Sequence, residues 1–384
     1  MGFSTAGVYT PATGATTATP GSVIQSAVWN AIFTDLTTAL TQTMGQLMNS
    51  FSVQKNVLFG NGGLEVWQRG AGGAASVAVA ASTTAYTADR WYITTGTGQA
   101  STIAQVAGLN DGSRWAAKVQ RNSGQTGTGT TQFGYPLDTD SIIPMRGKKV
   151  SVRLTLSTGA DWSPASGNIV ALLAVGTGAV GKYSSGFTSQ TLIINTTIAM
   201  PAGTAATTTT IAGSVTVPLT ATQAEFQVYW IPVGTAGTND WFTIDDVEVE
   251  VNNTGTASTW LVGQYDRAPY SVMLADCLNH YNKTFAYSVA PATAAGYLGA
   301  MALIANATSR QGLYYRNPVE MRTTPTYTTY SPTNANSAWY DVTGTSSLVA
   351  TVTATSTKGI FVYSATAAAV DRIIYIHVTA DAGI

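Results

Sequence analysis

The groups that could do chemistry in this chain are few: 19 acidic residues, two histidines and one cysteine among 384 residues. Glycoside hydrolysis needs two carboxyl groups facing each other across a cleft. The residues that could supply such a pair are Asp89, Asp161, Asp240, Asp245, Asp246, Glu248 and Glu250. Glu248 and Glu250 interleave with Val247, Val249 and Val251, which reads as a strand with its acids on the solvated side. By the same alternation Asp245 shares a face with the valines and points into the core, where an unpaired carboxylate is costly. It therefore needs a partner: backbone N–H groups, or an arginine such as Arg90 in Ala88-Asp-Arg-Trp91. Nucleophilic catalysis needs a base beside the nucleophile, and His280 and His377 are the only imidazoles. Both read as structural residues, one beside a helical stripe and one in a C-terminal strand. No Gly-x-Ser-x-Gly, phosphate-binding Gly loop, Cys-x-x-Cys or His-Glu-x-x-His pattern occurs.

Sugar binding asks for exposed flat rings with hydroxyls, amides and carboxylates nearby. The chain has 9 Trp, 18 Tyr and 10 Phe. Large aromatics also fill sandwich interiors, so Trp67, Trp91, Trp115, Trp162, Trp230 and Trp241 are equally candidates for the core. Trp162, in Gly159-Ala-Asp-Trp-Ser-Pro164 between strands, is the one expected to be exposed, and Trp91 and Trp115 are the further candidate carbohydrate contacts.

Only 10% of residues are charged and the formal net charge is −1, so no field steers the chain to nucleic acid or to an anionic membrane. No apolar run approaches the ~20 residues of a membrane span, and the N-terminus lacks the pattern of a signal peptide. An apolar content of 45% is enough for real cores. With one cysteine, Cys277, no disulfide can form within the chain.

The elements that would hold these residues are mostly strands. Residues 1–21 are Thr-, Ala-, Gly- and Pro-rich and read as an extended arm. Ser22-Val-Ile-Gln25 is a capping box, and a helix follows from about Val23 to Met48. Its Phe33, Leu36, Leu40 and Leu47 approximate a three-four repeat, which predicts a short coiled coil between copies; docking on a sheet of its own chain is the alternative. From Val57 to Val251, short alternating segments such as Lys149–Leu156, Ser214–Leu219 and Glu225–Val233 predict an antiparallel jelly-roll β-sandwich. The Gly- and Ala-rich stretches 70–85, 121–131 and 202–213 read as loops or irregular edges. A helix follows Pro269, with Tyr270, Met273, Leu274, Cys277, Leu278 and Tyr281 on its apolar face. Strands at 311–316, 347–353, 359–363 and 372–378 then predict a smaller C-terminal β domain. The predicted organisation is thus mainly β: an N-terminal arm and helix (1–56), the jelly roll (57–255) and the C-terminal β domain (256–384).

Asn61-Gly-Gly-Leu-Glu-Val-Trp-Gln-Arg-Gly70, Ala88-Asp-Arg-Trp91, the Asp245-Asp-Val strand and Tyr265-Asp-Arg-Ala-Pro269 with the helix after it resemble the receptor-facing region of tailed-bacteriophage fibre proteins. The segment Trp29-Asn-Ala-Ile-Phe33 resembles the attachment helix of such fibres. This resemblance implies a homotrimeric virion protein, tail or head fibre. It would be made in the host cytoplasm and carried on the outside of the particle, joined to other virion proteins by its N-terminus and binding host-surface polysaccharide through its β domains. It implies no enzyme, no nucleic-acid partner and no membrane insertion. A tailspike that degrades its glycan and a decoration or collar protein without a receptor are the competing expectations. The jelly-roll carbohydrate-binding modules that the sandwich also resembles place a structural calcium between an early Asn-Gly-x-x-Glu segment and a late Asp-Asp-Val strand. The resemblance carries that role to Glu65 and Asp245.

Overall fold

The computed structural model describes residues 2–3, 9–10, 34–36, 56–69, 76–252, 265, 267–294, 296–305, 311–333, 336–364 and 370–383. The chain divides into two compact units, Met1–Lys55 and Asn56–Ile384. In the first, β1 (Gly2–Phe3) pairs with β2 (Tyr9–Thr10), and residues 34–36 are helical. Of the four expected oligomerisation residues, Leu36 lies on that helical stretch and is exposed. Phe33, Leu40 and Leu47 lie outside the described residues.

The second unit opens with a sandwich. Its strands are β3 (Ser76–Val79), β4 (Thr84–Tyr86), β5 (Tyr92–Thr94), β6 (Ser101–Ala107), β7 (Trp115–Arg121) and β8 (Thr131–Leu137). They continue with β9 (Lys149–Thr158), β10 (Asn168–Thr177), β11 (Thr188–Ala199), β12 (Thr207–Ala212), β13 (Gln223–Trp230) and β14 (Trp241–Asn252). One antiparallel sheet has the order β11-β10-β13-β8-β5-β4 and the other β12-β9-β14-β7-β6-β3. Alternate residues of both sheets enter one core, which includes Phe133, Phe226, Phe242, Val152 and Leu154. The sandwich and its antiparallel layers are those expected from the period-two segments.

One local expectation needs correction. Ser214–Leu219 is not a strand: Val217 is buried and donates one bond to Lys148 O, but Pro218 beside it has no N–H to extend a ladder. The stretches 70–85 and 202–213, expected as loops or irregular edges, contain β3, the start of β4 and β12, each of them the edge strand of its sheet. β12 is Thr-Thr-Thr-Thr-Ile-Ala on a sheet edge with only Ile211 buried, so it lacks the apolar alternation that marks a strand.

The helix Tyr270–His280 begins after Pro269 and buries Met273, Cys277 and His280. Met273 and Cys277 pack with Val66 and Ala268, joining the helix to the segment before β3. Eight further strands follow: β15 (Tyr281–Lys283), β16 (Met301–Ala305), β17 (Gly312–Arg316), β18 (Thr326–Tyr330), β19 (Ala338–Asp341), β20 (Ser346–Ser356), β21 (Gly359–Ser364) and β22 (Arg372–Asp381). They form one sheet in which β22 pairs with β15, β16, β18 and β19. Its core of Trp339, Ile360, Val362, Ile374, Ile376 and Val378 is separate from that of the sandwich. No helix among the described residues is long and apolar enough to cross a membrane.

Candidate functional site

Where the sandwich meets the C-terminal sheet, a groove of about 750 Å3 opens between edge strand β4 and strands β18 and β22. Arg69 is central to it. Its guanidinium lies between two rings, 4.0 Å from the centroid of Tyr86 and 4.2 Å from that of Tyr281. Its edge makes a two-pronged contact with Asp381, Nη1 to Oδ2 at 2.5 Å and Nη2 to Oδ1 at 3.0 Å. Register brings the parts together, because Tyr281 at the start of β15 sits opposite Asp381 at the end of β22. Burial alone would raise the Asp381 carboxyl, but Arg69 holds it below the usual carboxylate range. Burial pushes the Tyr86 phenol up to about 12, so it stays a hydrogen-bond donor at neutral pH.

The wall opposite Tyr86 is β18, whose alternation puts Thr326, Thr328 and Tyr330 in the lining together with Thr324 and Thr379. On the sandwich side Thr84 meets Thr94, hydroxyl to hydroxyl at 2.8 Å. The result is a trough lined by tyrosines and hydroxyls, with one ion pair and a single carboxylate in its lining.

Beside the groove, the outer face of the β4–β11 sheet carries a second polar cluster. Glu225 is fully buried and accepts hydrogen bonds from Tyr92 Oη at 2.6 Å and from the Tyr183 N–H at 2.7 Å. Burial pushes its carboxyl up to about 7. Lys182 reaches over both Tyr86 and Tyr92, 4.7 and 5.1 Å from their centroids. Tyr183 and Phe187, perpendicular at 5.6 Å, close this face by packing with Leu172, Ala174, Leu192 and Tyr229. The amide oxygens of Gln132 and Gln227 are buried there without a hydrogen-bond partner.

The residues expected from the sequence to contact sugar are not brought together. Trp91 is fully buried, stacks on Phe133 at 4.8 Å and donates its indole N–H to Asn61 O. Trp162 is 5% exposed, against the expectation of a surface ring; it is packed between Trp230 and Phe242, so the loop that carries it folds inward. Trp115 is half-buried, with Arg114 5.4 Å over its ring, on the sheet that does not line the groove.

The expected carboxylate pair is also rearranged. A β-bulge between Asp245 and Glu248, with Asp246 at φ 46°, inserts one residue and reverses the alternation. Phe242 and Ile244 point inward before it, and Val247 and Val249 after it. Asp245 therefore faces away from the valines, under the β6–β7 turn, where Leu109 N–H and Ser113 Oγ donate to it at 2.7 and 2.8 Å. Its partners are thus a backbone N–H and a hydroxyl, not Arg90. Arg90 instead joins Asp138 and Asp276. Glu65 pairs with Arg267, which also holds Asp246. The donors expected for calcium do not converge on one point, and among the described residues no group of three or more His, Cys, Asp or Glu side chains could hold a metal ion. His280 Nε2 lies 3.0 Å from Asp138, and His377 stacks on Phe285 at 4.0 Å between Thr284 and Gly296 O; both imidazoles are committed to packing and hydrogen bonds.

The groove was not anticipated from the sequence. Arg69 lies in the Trp-Gln-Arg-Gly motif and Thr326-Tyr-Thr-Thr-Tyr330 is a strand rich in Thr and Tyr, but the two are far apart in the chain and are joined only by tertiary packing. No protein-family model matches the sequence, and no curated protein matches it. Solved structures that match part of the chain include the enzymatically active domain of Bacteriophage CBA120 tailspike protein 4, with a TM-score of 0.29 and 14% identity over 42% of this chain and 19% of that one. Carbohydrate-binding modules from the β-sandwich superfamily match with a TM-score of 0.30 and 10% identity, over 42% of this chain and 58% of theirs. A Stig cyclase from Fischerella sp. TAU matches with a TM-score of 0.30 and 12% identity, over 50% of this chain and 94% of that one. The chain thus spans less than two thirds of the first two, and no residue role is carried over from any of them.

Proposed function

We propose that the second unit binds a glycan in the groove between the sandwich and the C-terminal sheet, and that the whole chain is a structural fibre protein on the exterior of a tailed-phage particle. The observation that carries the binding reading is the groove's lining. Tyr86, whose ring carries Arg69 and Lys182, and the half-buried Tyr330 offer aromatic surface and phenol hydroxyls, Thr84, Thr324, Thr326 and Thr328 offer further hydroxyls, and the Arg69–Asp381 pair offers charged hydrogen-bonding edges. Sugars present alternating C–H faces and hydroxyls, which this combination matches. A single carboxylate, already paired with arginine, favours binding over a two-carboxylate hydrolysis. The fibre role rests on the motif resemblance. In that role the N-terminal region attaches to other virion proteins, and three copies would multiply weak contacts with a host-surface polysaccharide.

The test is a glycan array probed with the intact chain, followed by titration of the best ligand against Tyr86→Ala and Tyr330→Ala. Loss of either tyrosine is expected to weaken binding by about 10-fold. Unchanged affinity in both variants would remove the groove from the reading. Particles of the parent phage labelled with antibody to the chain test the virion placement separately.

A further inference from the structure

The junction between the Asn61–Glu65 segment and the β14 bulge holds two carboxylates close together. The side chains of Glu65 and Asp246 are 7% and 4% exposed. Backbone contact fixes their approach: Val247 N–H donates to Gly62 O at 3.1 Å, and a Cβ on Gly62 would stand 2.2 Å from Val247 O. Two buried anions held this way need cationic partners; Asp246 faces Arg153 and accepts from Asn110 Nδ2 at 3.1 Å, and Arg267 is the cation that reaches both it and Glu65. Calcium would ask for six to eight oxygens, and the third carboxylate nearby, Asp245, is turned under the β6–β7 turn and satisfied there.

We propose that Arg267 takes the place of a structural cation at this junction, so that the sandwich is indifferent to calcium and depends for its closure on a residue carried by the C-terminal part of the chain. Arg267 Nη1 pairs with Glu65, and Nη2 lies 3.0 Å from Asp246 Oδ1. The planar fork gives each carboxylate its own donor, which a lysine could not do as well. Tyr265, two residues earlier, supports it. The Arg267 guanidinium lies 5.2 Å from the Tyr265 ring centroid, and Tyr265 Oη accepts a long hydrogen bond from Asn56 Nδ2 at 3.4 Å. The positive charge therefore arrives with the chain that returns after residues 253–264, and forming it couples the two halves of the unit.

The experiment is thermal unfolding of the intact chain in excess EDTA and in excess calcium chloride, with terbium luminescence as a direct probe of a calcium-type site. The unaltered protein is expected to melt at the same temperature in both and to show no stoichiometric terbium signal. Arg267→Met is expected to lower Tm by on the order of 5 °C, and Glu65→Gln combined with Arg267→Met to recover part of that loss, because the buried anion goes with its partner. Calcium stabilisation of the unaltered protein, a terbium signal displaced by calcium, or strictly additive losses in the double variant would each overturn the proposal. If Arg267→Met does not fold, Arg267→Lys is expected to fold with a lowered Tm, and a Tm equal to that of the unaltered protein would count against the fork. The calcium and terbium measurements decide without any variant.

Discussion

Glu225 occupies an environment that its position in an alternating strand does not suggest. It is fully buried on the outer face of its sheet, under Tyr183, and burial holds its carboxyl at about 7. A raised carboxyl contributes stability that is present below its unfolded value and is lost as pH rises through the folded one. Stability is therefore expected to fall between about pH 4.5 and pH 7, and Glu225→Gln is expected to flatten that part of the profile, read as the urea midpoint at each pH. Asp89 and Asp245, each pushed up to about 6 by burial, act with the same sign at slightly lower pH. His280 and His377, whose burial holds them below the usual imidazole range, act in the opposite sense below about pH 6.5. A profile unchanged by Glu225→Gln would mean that the carboxyl is ionised and hydrated in solution.

At the scale of elements, the bulge in β14 decides which carboxylate meets which partner. Without the extra residue the alternation would run unbroken from Phe242 to Val251, and Asp245 rather than Asp246 would keep step with one face throughout. Alternation was legible in the residues, but the αL turn at Asp246 leaves no pattern, since Asp is tolerated in that conformation without being a marker of it. The bulge is held from outside by the Asn61–Glu65 segment, whose Asn61 binds Val66 and Asp89 backbone and whose Gly62 touches Val247. Gly62→Ala is expected to destabilise by about 1–3 kcal/mol, because a methyl group there must push the β14 backbone away. Denaturant unfolding checks it, and a change within about 0.5 kcal/mol would show that the segment can shift at little cost.

Over the whole second unit, one ion network ties the sandwich to the C-terminal sheet. Asp138, just after β8, meets Arg90 at 2.8 Å, His280 at 3.0 Å and Arg322 at 3.2 Å, and Arg90 also reaches Asp276 on the helix. Burial alone would raise Asp138, but His280, Arg90 and Arg322 hold it well below the usual carboxylate range. A lowered carboxyl contributes stability that is present above its unfolded value and is lost as pH falls through the folded one, so this tie is expected to fail only in strong acid. Asp138→Asn leaves Arg90, 4% exposed, with one carboxylate instead of two. Calorimetry of that variant is expected to show two transitions where the unaltered unit shows one, because the two cores are separate and the network is part of what couples them. A single transition at an unchanged temperature would assign the coupling to the apolar contacts of Val66, Ala268, Met273 and Cys277.

The mainly β character, the sandwich, the helix after Pro269 and most C-terminal strands could be read from the chain, because period-two burial and proline's missing N–H act over a few residues. The site could not. Arg69, Tyr86, Tyr281, Tyr330 and Asp381 come from five separate segments and meet through strand register and the docking of one sheet on another. The same separation misdirected the search for sugar contacts. Composition marks a tryptophan as large and flat, but whether Trp162 faces water or Phe242 depends on where a loop folds, and that is settled by the packing energy of the whole core.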